Sequence, residues 1–193
     1  LEGGSGAKRV ARWVIRPKRM MRVYRLSRAA RRSTTIVSNP VLQRKYGGVV
    51  VPHARRDTGL GGDHLSSHPQ VVFVGTNRGH KGIEVLREAV GKCADLGLRL
   101  VLTDDPPSSG THAWEEWVGP TSLSDGAQLV RDGDIVVIPS SSKHTFSSAQ
   151  LPAKLVDAMV AGRAIVVSDL EPLVWAAGNG ALVFRSDDSE DLA

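Results

Sequence analysis

Two polar stretches carry the residue types that hold a charged ligand. The first, Gly75-Thr76-Asn77-Arg78-Gly79-His80-Lys81-Gly82, follows the apolar run Val71–Val74 and precedes Ile83, where helical spacing begins. Glycines permit tight turning and close backbone approach to a ligand. Arg78 and Lys81 add positive charge at a helix N-terminus, which suits a diphosphate. The stretch is neither G-x-G-x-x-G nor a Walker A sequence, and a solvated loop with two surface cations is the competing reading. The second stretch, Ser140 to Gln150, lies between the apolar Ile135–Ile138 and a helical pattern that ends at Gly162. In open α/β sheets ligands sit past the carboxyl ends of strands, where helix N-termini favour anions. Elsewhere the chemistry is plainer. His64 and His68 beside Asp63 resemble metal ligands, but without a third ligand in a Gly/Ser-rich loop they read as solvated histidines. Asp104-Asp105 before two prolines reads as turn chemistry. Cys93, in register with Leu86, Ala89 and Val90, reads as a buried inert thiol in a reducing compartment.

The second stretch belongs to a β-α-β unit spanning Asp134 to Asp169. Ile135–Ile138 and Ile165–Val167 read as buried parallel strands. The helix between them is expected to take Pro152 at its first position, to face inward through Leu155, Met159 and Val156, and to end at Gly162. The same alternation fills the rest of the second half. Strands are expected at 71–74, 98–102 and 182–184 and a short one at 114–118, with helices at 83–96 and 123–131 and a further helix beginning at the end of the sequence. This predicts a Rossmann-like parallel sheet flanked by helices on both faces. Before it, strands at 34–37 and 49–51 bracket a two-turn helix at 40–46. The polar, Gly/Ser-rich segment from Arg55 to Pro69 reads as a linker and domain boundary.

The chain has 193 residues, 41% of them hydrophobic, enough for a sizeable core, and aromatics are only 5%. No run of about 18 apolar residues occurs, so nothing is expected to span a membrane. Lacking an initiator Met and a signal-peptide pattern, the sequence reads as part of a longer protein. Up to Arg56 there are 15 Lys and Arg and one acid, Glu2; the remaining 10 basic residues face 19 acids, so +14 and −9 combine to the net +5. An anionic partner is therefore expected of the first segment alone. Within residues 8–32, Val10, Trp13, Val14, Met21 and Tyr24 share one helical face, which Pro17 is expected to break or kink. Packing of that face on protein is favoured first and contact with an anionic membrane surface second. Nucleic acid comes last, because no zinc-finger spacing, RNP motif or aromatic interleaving supports it.

Together these residues resemble the retaining family-4 glycosyltransferases, in the C-terminal half of their two-domain Rossmann (GT-B) fold. Phe73-Val74-Gly75 through Lys81-Gly82, Asp134 through Ser140, Lys154-Leu155-Val156-Asp157-Ala158-Met159 and Ala161-Gly162-Arg163 through Val167 carry the resemblance. A fainter match at 35–38 and 50–53 resembles the last strands of the first domain. The resemblance implies a basic arm and tail of the acceptor domain at 1–55, a linker at 56–69, and a donor-binding domain at 70–193 that ends before it is complete. It implies sugar transfer from a UDP-, GDP- or ADP-linked donor to an unknown acceptor, with neither metal nor cofactor. Arg78 and Lys81 match the cationic pair on the donor diphosphate and are the expected catalytic residues. Gly75, Ser140, Gln150, Lys154 and Asp157 are the expected donor-binding residues, Asp157 at the acid that contacts the ribose. The family's first acid falls at Ala149, with Gln150 beside it to hydrogen-bond a hydroxyl. A cytoplasmic protein, peripheral at the inner membrane face, is implied, with the isolated chain inactive. The alternative is a noncatalytic nucleotide- or sugar-phosphate-binding module of the same fold, which the substitution at Ala149 supports.

Overall fold

The structure, a computed structural model, describes residues 17–63 and 67–193. The expectations for Val10, Trp13, Val14 and His64 concern residues outside these ranges. The chain divides into a first compact unit ending at Pro52 and a second running His53–Ala193.

In the first unit, helix α1 (Pro17–Ala30) has Pro17, the expected point of a break or kink, as its first described residue. None of its residues is buried, and Met21, Tyr24 and Leu26 are exposed. Packing of this apolar face on protein, the favoured reading of the sequence, is therefore not what the described residues adopt. Strands β1 (Ile36–Val37) and β2 (Val49–Val50) pair in parallel around helix α2 (Pro40–Tyr46). Asn39 caps α2 by accepting the Leu42 N–H at 3.0 Å, Pro40 follows at the first turn, and Gly47 ends it. These are the start and stop signals the sequence carries.

The second unit is built on six parallel strands: β3 (Gln70–Phe73), β4 (Arg99–Leu102), β5 (Glu115–Trp117), β6 (Ile135–Ile138), β7 (Ala164–Ser168) and β8 (Leu182–Phe184). Their order across the sheet is β5-β4-β3-β6-β7-β8. The chain thus runs outward from β3 to β5, then returns to β6 on the other side of β3. Helices α3 (Ile83–Lys92), α4 (Leu123–Asp132), α5 (Ala153–Val160), α6 (Glu171–Ala177) and α7 (Ser189–Leu192) flank the strands. The α/β, Rossmann-like parallel sheet predicted from the sequence is present.

Both faces of the sheet are covered, which is why its strands read as unbroken apolar runs. Val71, Phe73, Leu100, Leu102 and Val137 pack with Ile83, Leu86 and Val90 of α3. On the other face, Val136, Ile138, Ile165 and Val167 pack with Val130, Leu155, Ala158 and Leu173. Each such side chain withdrawn from water contributes about 1.5–3 kcal/mol.

Several local details differ from expectation. Pro152 stays extended as the cap of α5 and Ala153 begins the helix. Leu155 and Ala158 face the core, one turn apart, which rotates Met159 out to 44% exposure. Helix α3 ends at Lys92 because the chain tightens into a 3₁₀ turn at Ala94–Leu96. Cys93, at that break, is half-buried where full burial was expected, and its thiol donates to the Ala193 carbonyl at 3.3 Å. Helix α6 was not expected; at seven residues it is too short for a periodic signal.

The segment from His53 to Gly62 is fastened along the second unit. His53 Nε2 is 2.9 Å from the Leu151 carbonyl, and Arg55 pairs with Asp157. Arg131 donates to the carbonyls of Thr58, Gly59 and Leu60 at 2.6–3.0 Å. Arg163, itself buried, donates to the Gly133 carbonyl at 3.0 Å and the Gly62 carbonyl at 2.7 Å.

The edge strand β5 is held by a buried ion pair. Arg87 of α3 donates to Glu115 at 2.7 Å and 3.2 Å and to the Gly110 carbonyl at 2.9 Å. Trp117 Nε1 donates to the same carboxylate at 3.1 Å. The Glu115 side chain is 0% exposed and that of Arg87 8%. Burial alone would raise the Glu115 pKa, but the hydrogen bonds from Arg87, Trp117 and the His112 N–H leave it lowered. Breaking a buried pair from one side costs about 3–5 kcal/mol, because a charge is left without its partner. Glu115→Gln is therefore expected to destabilise the second unit by about 3 kcal/mol in urea unfolding near neutrality. Because the folded pKa is lowered, the stability from ionised Glu115 is present above the ordinary value of 4.5 and is lost as pH falls through the lowered one. The variant's deficit should accordingly shrink in acid.

Candidate functional site

The reversal of strand order between β3 and β6 opens a crevice at their carboxyl ends, the place where doubly wound sheets bind ligands. Both polar stretches lie there. Gly75 follows β3 and is bracketed by Thr103: Thr103 Oγ1 accepts the Gly75 N–H at 2.7 Å and donates to its carbonyl at 3.0 Å. Asp104 accepts the Asn77 N–H at 2.5 Å. The pair Thr103 and Asp104 therefore shapes the turn, a role beyond the local turn chemistry read from the sequence.

The turn tightens into a 3₁₀ segment, Gly79–Lys81, and leaves through Gly82 at φ 67°. A Cβ on Gly82 would stand 1.8 Å from the Pro139 carbonyl oxygen, so only glycine fits between the turn and the end of β6. The His80 carbonyl accepts from the Ser141 N–H and the Ser147 hydroxyl, each at 3.1 Å. The two stretches are thus joined side by side.

Within the crevice Lys81 Nζ donates to Gln150 Oε1 at 3.3 Å. Burial, then the nearby Arg78 charge, lowers the Lys81 pKa. Lys154, on the first turn of α5, lies with Nζ 3.4 Å from the centre of the Phe73 ring and has no hydrogen-bond partner among the described residues. Burial, then Lys81, pushes its ammonium well below the usual lysine range. Nζ sits 3.5 Å from where a Gly75 Cβ would be, against the turn itself. Arg78 is exposed at the start of the 3₁₀ segment. His80, its pKa lowered by burial and then by Lys81, makes edge contacts with the rings of Phe146 and His144 at 5.6 Å and 6.3 Å.

Of the expected residues, Gly75, Lys81, Gln150 and Lys154 are brought together. Ser140 is buried beneath them at the end of β6, and Ala149 closes a 3₁₀ turn, Ser147–Ala149. Asp157 is half-buried one turn along α5, and its carboxylate pairs with Arg55. Arg55 and Phe146 were missed by the sequence reading: Arg55 sat in a polar stretch without periodicity, and the exposed Phe146 in a variable turn. The crevice gathers cations and the N–H groups of a helix start, which together receive an anion. Among the described residues no group of three or more His, Cys, Asp or Glu is placed to hold a metal ion.

A six-stranded parallel sheet of this order, flanked by helices, matches a Rossmann-like half of the GT-B architecture, and solved structures bear out that fold. The chain is similar to the Anabaena protein Alr3699/HepE, solved with UDP and glucose, with TM-score 0.66 and 16% identity over 83% of this chain and 51% of that one. A glycosyltransferase from Rickettsia africae gives TM-score 0.64 and 13% identity over 83% and 51%. The catalytic domain of cholesterol-α-glucosyltransferase from Helicobacter pylori gives TM-score 0.50 and 16% identity over 65% and 81%. The chain spans about half the length of the first two. Residues 68–193 match the glycosyl transferases group 1 family, and the chain belongs to it. No curated protein matches the chain by sequence.

Gly82→Ala forces a Cβ into the Pro139 carbonyl and a non-glycine residue into the left-handed region, which alone costs about 1–2 kcal/mol. The variant is expected to melt several degrees lower. Thermal denaturation of the variant beside wild type checks this.

Proposed function

We propose that the protein transfers a sugar from a nucleoside diphosphate sugar to an acceptor hydroxyl with retention, as the retaining family-4 enzymes do. The observation that carries this reading is the crevice itself, where Lys81, Gln150 and Lys154 converge beside Gly75 with Arg78 at the rim. Transfer requires negative charge to be stabilised on the departing diphosphate while an oxocarbenium-like centre forms. Preorganised cations and helix-terminal N–H groups do this without a metal. In this reading Lys81 and Arg78 hold the phosphates, Gln150 receives a sugar hydroxyl, and Asp157 receives the ribose once Arg55 shares or releases it. UDP-linked hexoses are the first donors to test, since the Anabaena protein was solved with UDP-glucose. GDP and ADP donors follow.

A second reading, a noncatalytic nucleotide- or sugar-phosphate-binding module, is favoured by Ala149 at the first-acid position and by the engagement of Asp157 with Arg55. Donor turnover by a longer chain that also holds the acceptor separates the two. The second unit supplies the donor side of the crevice, and transfer also needs the acceptor held against the donor carbon, where proximity supplies much of the rate. Binding without turnover is the expected behaviour of the 193-residue chain. Charge-assisted hydrogen bonds to phosphate contribute about 1.5–3 kcal/mol each, so Lys81→Ala should weaken UDP binding about tenfold or more. Lys143→Ala, in the exposed turn, should change it little. Indistinguishable calorimetric isotherms for wild type and Lys81→Ala would refute the assignment.

The basic arm supports a further part of the reading, peripheral attachment to the inner face of a cytoplasmic membrane. Helix α1 exposes Met21, Tyr24 and Leu26 among Lys18, Arg19, Arg22, Arg25 and Arg28. Each cation near an anionic surface contributes about 1 kcal/mol. The chain is expected to sediment with phosphatidylserine vesicles at low salt, less at moderate salt, and little with neutral vesicles.

A further inference from the structure

The most anomalous group in the second unit is the Lys154 amine. Its nitrogen is sealed from solvent, has no hydrogen-bond partner among the described residues, and rests on the face of Phe73. A buried ammonium without partners loses more in hydration than one aromatic face returns. Among the described residues no neighbouring carboxylate offsets that loss. The Gly75–Gly82 turn faces Lys154 with Arg78, His80 and Lys81, and β3, on which its nitrogen rests, carries no titratable residue. The loop after β6 brings His144 and Lys143. Asp157 on the same helix is held by Arg55, and Asp104 is hydrogen-bonded to the Asn77 N–H. Burial and the Lys81 charge both disfavour a second ammonium.

Resting on the reading of the crevice as a diphosphate site, we propose that Lys154 stands uncharged in the empty crevice and takes up a proton from solvent when the diphosphate enters. The ligand supplies what the empty site lacks, two or more anionic oxygens beside Gly75 and Lys81. An ammonium that swings from the Phe73 face toward those oxygens becomes paired and hydrogen-bonded, the condition under which a buried charge is tolerated. The proton ends on Nζ and no covalent bond changes. The coupling has a functional consequence: the empty crevice avoids two adjacent unpaired ammonium groups, yet the bound phosphates meet both. Nucleotide affinity should then fall as pH rises through the range where free amine is the stable form, because the proton becomes harder to recruit.

Calorimetry of the full 193-residue chain with UDP and UDP-glucose, at about pH 8 in buffers of differing ionisation enthalpy, tests the coupling. At that pH the phosphates are fully ionised, their second pKa being about 6, so any uptake belongs to the protein. Wild type is expected to take up close to one proton on binding. Lys154→Met, which keeps an apolar side chain on Phe73, should fold as judged by its melting curve, bind about tenfold more weakly, and take up none. Binding by wild type without buffer dependence overturns the proposal while leaving the diphosphate site standing. Uptake undiminished in Lys154→Met also overturns it, placing the proton on Lys81 or His80. Absence of any binding at millimolar nucleotide sinks the site reading instead. The empty-state half is then judged alone by the pH dependence of the Lys154 ¹³Cε signal, assigned through Lys154→Met. A midpoint at the ordinary lysine value overturns the proposal, and a midpoint well below it sustains an uncharged resting amine.

Discussion

The second unit depends on the seating of one turn against the end of one strand. Where the Gly75–Gly82 turn crosses β6, Gly82 lies so close to Pro139 that no side chain fits, and the His80 carbonyl is held by Ser141 and Ser147. That seating sets the width of the crevice at the strand-order reversal. It also decides that Lys81 reaches Gln150 and that Lys154 is roofed over. Thr103 and Asp104 brace the turn from the β4 side, so the ends of three adjacent strands fix one short loop. On the proposed reading, a diphosphate entering there would meet donors already aimed, with little ordering left to do on binding.

The unit treats two of its buried basic residues, Arg87 and Lys154, in opposite ways. Arg87 is surrounded by acceptors: both oxygens of Glu115, Glu84 and the Gly110 carbonyl. Its hydrogen bond to Glu115 leads the causes that raise its pKa. Lys154 has an aromatic face and another lysine. The planar, five-donor guanidinium suits a fixed structural pair, and the compact amine can give up its charge, so the choice of residue follows the task. A satisfied charge organises the sheet edge, and on the proposed reading the amine without a partner is the one that waits for an external anion.

The layered α/β fold was legible because its signals are local. Short apolar runs mark β3, β4, β6 and β7, closed by Gly75 after β3 and by Pro139 after β6, and the Asn39-Pro40 start and Gly47 stop mark α2. The polar stretches were legible as a site because both fall after such runs, and the structure joins them. What escaped was long-range. The Arg87–Glu115 pair spans 28 positions and the Arg55–Asp157 pair 102, separations on which spacing is silent. Met159 was misassigned because Lys154 takes an inward position on α5 that an apolar periodicity leaves blank. Helix α1 has the opposite failing: its amphipathic pattern was correctly legible as helix, but pattern does not say what the apolar side meets.

The fastening of His53–Gly62 means that the border by composition and the border by cooperativity fall in different places. By residue type, the polar segment from Arg55 belongs to neither neighbour. By hydrogen bonding, the carbonyls of Thr58, Gly59, Leu60 and Gly62 complete the coordination of Arg131 and Arg163. A dissection starting at residue 70 would keep every strand of the sheet yet strand the buried Arg163 guanidinium with its outer edge facing a gap. The smallest autonomous folding unit is therefore longer than the domain its sheet outlines, and its first residues are a polar strand of chain with no secondary structure at all.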